Sequence, residues 1–136
     1  MNKPRVVVAD DNSGILTTVS NLLSPQFEVV ACVGDGRQAV EAVLHLQPDV
    51  VVLDILMPGL DGIQAARRIL KLGSTTRIIF LTGIDDPEYV AAGFELGGRG
   101  FVFKSSLYTD LPIAITAVLD GRTFCSERRK GSEPQG

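Results

Sequence analysis

Val50-Val51-Val52-Leu53-Asp54 is the stretch on which the reading of this chain turns. Four apolar residues in a row, three of them β-branched, show no alternation of inside and outside. Such a run suits a strand covered on both faces, which is the habit of parallel sheets. It ends on a carboxylate, which belongs at the strand's carboxyl edge and not within the sheet. Outward from it the same figure recurs. Residues 5–9 are an apolar run ending at Asp10-Asp11, residues 77–81 end at Thr82, and the short run 100–103 ends at Lys104. Residues 27–33 read as one more strand.

Helical spacing fills the gaps. Ile15, Leu16, Val19, Leu22 and Leu23 share one face, with Asn12 or Ser13 as cap and Pro25 near the end. Gly34-Asp35-Gly36 reads as a turn before a helix over 37–46, and Met57-Pro58-Gly59 as a loop before a helix over about 61–72. Leu111, Ala114, Ile115, Val118 and Leu119 form the last apolar stripe, with Pro112 expected in its first turn and Gly121 as its stop. Residues 87–96 make a weaker helix, interrupted by Gly93 and expected to be the most mobile part of the body. Strands alternating with helices imply a parallel sheet, covered on both faces by right-handed crossovers. Five repeats fit the flavodoxin-like doubly wound α/β fold: a five-stranded sheet of order 2-1-3-4-5 with five helices. Residues 1–123 are read as the domain, and 124–136 as a polar tail or the start of a linker.

The 136 residues suit one domain, with 45% hydrophobic and 21% charged residues. A net charge of −3 argues against a surface built to grip nucleic acid. No apolar run reaches the roughly 18 residues of a membrane span, and no signal peptide is recognised. Cys32 and Cys125 are too few for a disulfide framework, so reduced thiols and a cytoplasmic location are expected. His45 reads as a solvent-facing helix residue.

In such a fold, ligands bind at the carboxyl ends of the strands. Asp10, Asp11, Asp54, Thr82 and Lys104 all follow hydrophobic runs and should gather at that edge. Two carboxylates about 5 Å apart cost roughly 3 kcal/mol at an effective dielectric near 20, so three together call for a cation. Hard oxygen donors favour Mg²⁺, with Mn²⁺ as the alternative. Taken singly, each residue has a plainer reading: an Asp at a strand end is often a helix cap or a turn residue, as Asp35, Asp61 and Asp85 are expected to be.

Taken together, these residues resemble the receiver domain of two-component response regulators over about residues 5–121. The loop 54–62 and the ending 100–105 are most similar to the NarL-like subfamily. The resemblance implies that Asp54 accepts a phosphoryl group. It also implies Mg²⁺ held by Asp11 directly, Asp10 through water, Asp54, and the Leu56 carbonyl. Thr82 and Lys104 would contact phosphoryl oxygens, Thr82 and Phe101 would form the switch, and Gly83 would leave room for the donor. The implied partner is a sensor histidine kinase or phosphotransfer protein. A homodimer through the fourth helix, fifth strand and last helix is a further implied association; direct nucleic-acid or membrane binding is not expected. The chain would be a signalling module that catalyses only its own phosphorylation and dephosphorylation.

Some positions depart from the family's habit. Ser105 stands where Pro commonly follows the lysine, often after a cis bond. Phe101 lacks the hydroxyl of the Tyr often found there, so a switch must act through shape. Leu56 and Ile84, two residues after Asp54 and Thr82, are aliphatic and should shield a phosphoryl group from water. Phosphatases of the haloacid dehalogenase type also use an Asp at a strand end, but they need a second Asp where this chain has Leu56. A receiver that only binds and is never phosphorylated is disfavoured by the full set of site residues. Relatives in the subfamily usually carry a helix-turn-helix, and none is expected in the residues after Gly121.

Overall fold

The computed structural model describes residues 2–83 and 87–127. Its elements run β1 (Arg5–Ala9), α1 (Ser13–Leu23), β2 (Glu28–Val33), α2 (Gly36–Leu46), β3 (Val50–Asp54), α3 (Gly62–Lys71), β4 (Arg77–Thr82), α4 (Pro87–Leu96), β5 (Gly100–Phe103), α5 (Leu107–Leu119) and β6 (Phe124–Cys125). A 3-10 turn, Lys104–Ser106, joins β5 to α5. All strand pairs are parallel, in the order β2-β1-β3-β4-β5-β6.

The unbroken apolar runs have the expected consequence: every residue of β3 and β5 is buried, whereas the edge strand β2 is partly exposed. Alternate residues feed two cores. Val7, Val51, Leu53, Ile78, Phe80 and Phe101 face α2, α3 and α4. Val6, Val8, Val50, Val52, Ile79, Leu81 and Val102 face α1 and α5. Fully burying each such side chain contributes about 1.5–3 kcal/mol before chain entropy is set against it, so both faces hold the sheet in place.

Local signals set the helix starts. Asn12, not Ser13, caps α1, its side chain accepting from the Ile15 N–H at 3.1 Å. Asp35 caps α2, and Asp61 caps α3 in a reciprocal box with Gln64. Asp85 lies outside the described residues.

Two expectations need correction. Among the described residues the sheet has six strands, not five, because Phe124–Cys125, assigned to the tail, pairs with β5. Its two-residue length gave no period to read. The last helix begins at Leu107, so Pro112 lies inside it and not in its first turn. Pro112 has no N–H to donate to the Tyr108 carbonyl four residues back. Residues 128–136 of the expected tail lie outside the described residues.

Candidate functional site

The fold brings β1, β3, β4 and β5 side by side, so their carboxyl ends meet at one edge. Asp10 directly follows β1, Asp54 ends β3, Thr82 ends β4, and Lys104 opens the turn after β5. Register keeps them level: Asp54 pairs with Leu81, and Thr82 with Phe103. Asp10 and Thr82 are completely buried and Asp54 nearly so, while Asp11 is exposed.

One ammonium serves two carboxylates. Lys104 Nζ lies 2.9 Å from Asp10 Oδ2 and 3.4 Å from Asp54 Oδ2. Asp10 Oδ1 accepts the Asn12 N–H at 2.9 Å, and Asp54 Oδ1 accepts a long bond, 3.4 Å, from the Leu56 N–H. Burial pushes the Asp54 carboxyl up from 3.8 to about 6, and Asp10 adds to the rise; Lys104 and the Leu56 N–H pull the other way. For Lys104, burial lowers the pKa, but Asp10 and Asp54 outweigh it and hold the ammonium above the usual lysine value. The lysine is thus well satisfied, whereas Asp54 shares a single cation with its neighbour.

The donor set fits a hard cation. One carboxylate oxygen from each of Asp10, Asp11 and Asp54 can lie within 4.8 Å of the others. Asp10 Oδ2 is fully buried, and the Lys104 ammonium at 2.9 Å is the one cation beside it among the described residues. Such an oxygen keeps a second lone pair, which suits a metal or a metal-bound water.

Other expected positions fall around this edge. Leu56 is 54% exposed beside Asp54, and Gly83 is exposed with open space where a Cβ would stand. Ser105 is exposed in the 3-10 turn, and the Lys104–Ser105 bond is trans, as are all peptide bonds among the described residues. Phe101 is fully buried, with ring centroids 5.7 Å from Phe80, 6.3 Å from Phe94 and 6.4 Å from Phe103. Ile84 lies outside the described residues. His45 is exposed, its Nδ1 2.9 Å from the Glu41 carbonyl, far from this edge in the fold.

The sequence reading overlooked two glycines that support the site. A Cβ on Gly62 would stand 2.1 Å from the Asp54 carbonyl oxygen, and one on Gly36 equally close to the Leu60 carbonyl. Each is the first residue of a helix that presses on backbone near the site, which only hydrogen at Cα permits. The repeated Asp-Gly at 35–36 and 61–62, each pair opening a helix, was the available signal.

The chain matches the model of the response regulator receiver domain over residues 6–116. The oxygen regulatory protein NreC of Staphylococcus epidermidis is 37% identical over 123 residues, which is 88% of this chain and 56% of that protein. This chain therefore spans little more than half the length of that relative. The signal receiver domain of NarL from Mycobacterium tuberculosis superposes with a TM-score of 0.86 at 34% identity, covering 90% of this chain and all of that one. The isolated receiver domain of RcsB from Salmonella enterica serovar Typhimurium, in the presence of the phosphomimetic BeF3−, gives 0.84 at 30%, covering 93% and 95%. No described helix is long and apolar enough to cross a membrane. The chain belongs to the response regulator receiver domains of two-component systems, signalling modules rather than conventional enzymes, and within them to the NarL-like subfamily.

Proposed function

We propose that Asp54 accepts a phosphoryl group in a Mg²⁺-dependent reaction and so switches a surface read by a partner. The observation that carries this reading is the buried Asp54 carboxylate, set between Asp10, Asp11 and Lys104 with too little positive charge for its neighbours.

Phosphoryl transfer asks a protein mainly to position groups and neutralise charge. An Asp54 oxygen attacks phosphorus of a phosphohistidine on a sensor kinase or phosphotransfer protein. The P–N bond breaks, and the imidazole keeps its electron pair. Acetyl phosphate can serve likewise, its P–O bond breaking to release acetate. Lys104 turns from the bare carboxylate to a phosphoryl oxygen, and the Thr82 hydroxyl bonds another. Asp10, Asp11, Asp54 and the Leu56 carbonyl would hold Mg²⁺, or Mn²⁺, which when bound supplies charge neutralisation for attack and for the product. Gly83 leaves space for the donor. The apolar side chain of Leu56, helped by Ile84, gives an attacking water no polar guide, so the acyl phosphate persists; Ser105 sets the loop after the lysine.

Response passes through packing. Thr82 moving toward the phosphoryl group would relax the Phe80–Phe94–Phe101 cluster and with it α4, which approaches closely because Gly93 lies against both inner rings. Exposed Tyr89 on α4 and Tyr108 on α5 offer apolar surface for a second copy near the α4–β5–α5 face, whose strand edge β6 lines. Dimers of the relative RcsB are known bound to DNA; here any DNA contact would belong to a separate output unit. The module acts in the cytoplasm, where its kinase partner's phosphohistidine is presented.

Incubation with Mg²⁺ and acetyl phosphate tests the reading. One phosphoryl adduct is expected, abolished by chelation and by Asp54→Ala. No Mg²⁺-dependent adduct would refute it, and multiple turnover on phosphate esters would point to a phosphatase instead.

A further inference from the structure

β6 brings a buried hydroxyl to the end of the strand that delivers Lys104. The Ser126 N–H donates to the Phe101 carbonyl at 2.8 Å, continuing the ladder begun when Phe124 N–H bonds the Arg99 carbonyl at 3.0 Å. In a parallel ladder the next rung would run from the Phe103 N–H to the carbonyl of Ser126. Instead, the Phe103 N–H donates to Ser126 Oγ at 3.1 Å. That hydroxyl in turn donates to Asp110 Oδ2 at 2.6 Å, and Asp110 Oδ1 accepts from Thr109 Oγ1 at 3.2 Å. Ser126 is 5% exposed and Phe103 is 6% exposed. The chain therefore leaves the β6 ladder at the point where β5 turns into the 3-10 turn that starts with Lys104.

We propose that Ser126 is a positioning residue for Lys104, acting through the Phe103 N–H to fix where β5 ends and the lysine begins. A buried backbone N–H without a partner is costly. Without the hydroxyl, the strand end must either admit water or pull Phe103 toward another acceptor. Either adjustment moves the Cα from which Lys104 reaches Asp10 and Asp54. Asp110 orients the hydroxyl: by accepting its proton, it turns an oxygen lone pair toward Phe103. The same contacts tie the segment after α5 to β5, the strand that carries Phe101.

The inference rests on the phosphoacceptor reading, and the test separates the two. Lys104 is not a metal ligand, so a displaced lysine should weaken capture of a phosphoryl mimic while sparing the metal. Calorimetric titrations would compare Mg²⁺ alone, then beryllofluoride at saturating Mg²⁺, on folded wild type, Ser126→Ala, Ser126→Thr, Asp110→Ala, Lys104→Ala and the Ser126→Ala/Lys104→Ala pair. Ser126→Ala should weaken beryllofluoride about three- to tenfold, the scale of one hydrogen bond, with Mg²⁺ affinity not reduced, because withdrawing the ammonium from Asp10 and Asp54 removes a competing positive charge. Threonine should restore binding, Asp110→Ala should show the same split in smaller measure, and Ser126→Ala should add nothing once Lys104 is gone. Unaltered beryllofluoride affinity in Ser126→Ala, an equal loss of Mg²⁺ affinity, or a full further loss on the Lys104→Ala background would overturn the proposal alone. Wild type that binds neither Mg²⁺ nor beryllofluoride would overturn the phosphoacceptor reading and this proposal with it.

Discussion

Replacing Asp54 by Asn should stabilise the metal-free protein at neutral pH. Raising a carboxyl from 3.8 to about 6 on folding corresponds to about 3 kcal/mol at about 1.4 kcal/mol per pH unit. Water reaching the site past exposed Asp11 screens part of this, leaving about 1–2 kcal/mol. The sign follows from proton binding. Between pH 4 and pH 6 the folded state holds the Asp54 proton more tightly than the unfolded chain does. Wild-type stability therefore falls as pH rises through that window and levels off above it. Asn keeps the shape and cannot ionise, so its stability lacks this component. Urea denaturation in EDTA at pH 4, 6 and 8 reads the difference directly. Asp54→Asn should match wild type near pH 4 and exceed it by about 1–2 kcal/mol at pH 8, or about 3–8 °C in Tm for a domain of this size. Saturating Mg²⁺ should reverse the order, because it stabilises the carboxylate form by about 2.7 kcal/mol at a hundred times Kd. An Asn variant less stable than wild type in EDTA at pH 8, or a difference that ignores pH, would refute the reasoning.

Lys104→Ala removes the cation shared by Asp10 and Asp54. In EDTA it should cost about 3 kcal/mol at pH 8 and less at pH 5, where Asp54 is protonated, as equilibrium denaturation would show. Leu56→Gln places a polar group beside the acyl phosphate and should shorten its lifetime about tenfold in a chase experiment, less than the roughly hundredfold low end of general-base assistance because the amide orients water without taking its proton; an unchanged lifetime would remove Leu56 as a shield. Gly62→Ala forces a Cβ onto the Asp54 carbonyl and should lose about 2–4 kcal/mol. Gly34→Ala, with nothing within 4 Å of its Cβ, should be neutral by the same measurement.

The layered fold and the acidic edge were legible because they rest on strong local patterns. Unbroken runs rich in β-branched residues at 6–9, 50–53 and 78–81 read as strands covered on both faces, and the polar residue ending each run then emerges at one edge. Asp35 and Asp61 were legible as caps or turn residues by type, and the structure makes both of them caps. What escaped depends on contacts between distant segments. Two residues of β6 carry no period, and their pairing arises because α5 returns the chain beside β5. The start of α5 at Leu107 was hidden by Pro112, since tertiary packing of Leu107 and Leu111 overrides the proline's preference for a first turn. The roles of Gly36 and Gly62 appear only when the carbonyls they touch are in place. That burial and Asp10 would raise the Asp54 pKa despite the lysine shared with Asp10 likewise needed coordinates.

The central claim is that Asp54 itself becomes an acyl phosphate, and borohydride trapping tests it most directly. After incubation with acetyl phosphate and Mg²⁺, reduction should convert the residue at position 54 to homoserine, located by peptide mass spectrometry and absent when EDTA is added. Homoserine at Asp10 or Asp11 instead, or at no position while the Mg²⁺ site is filled, would contradict the account.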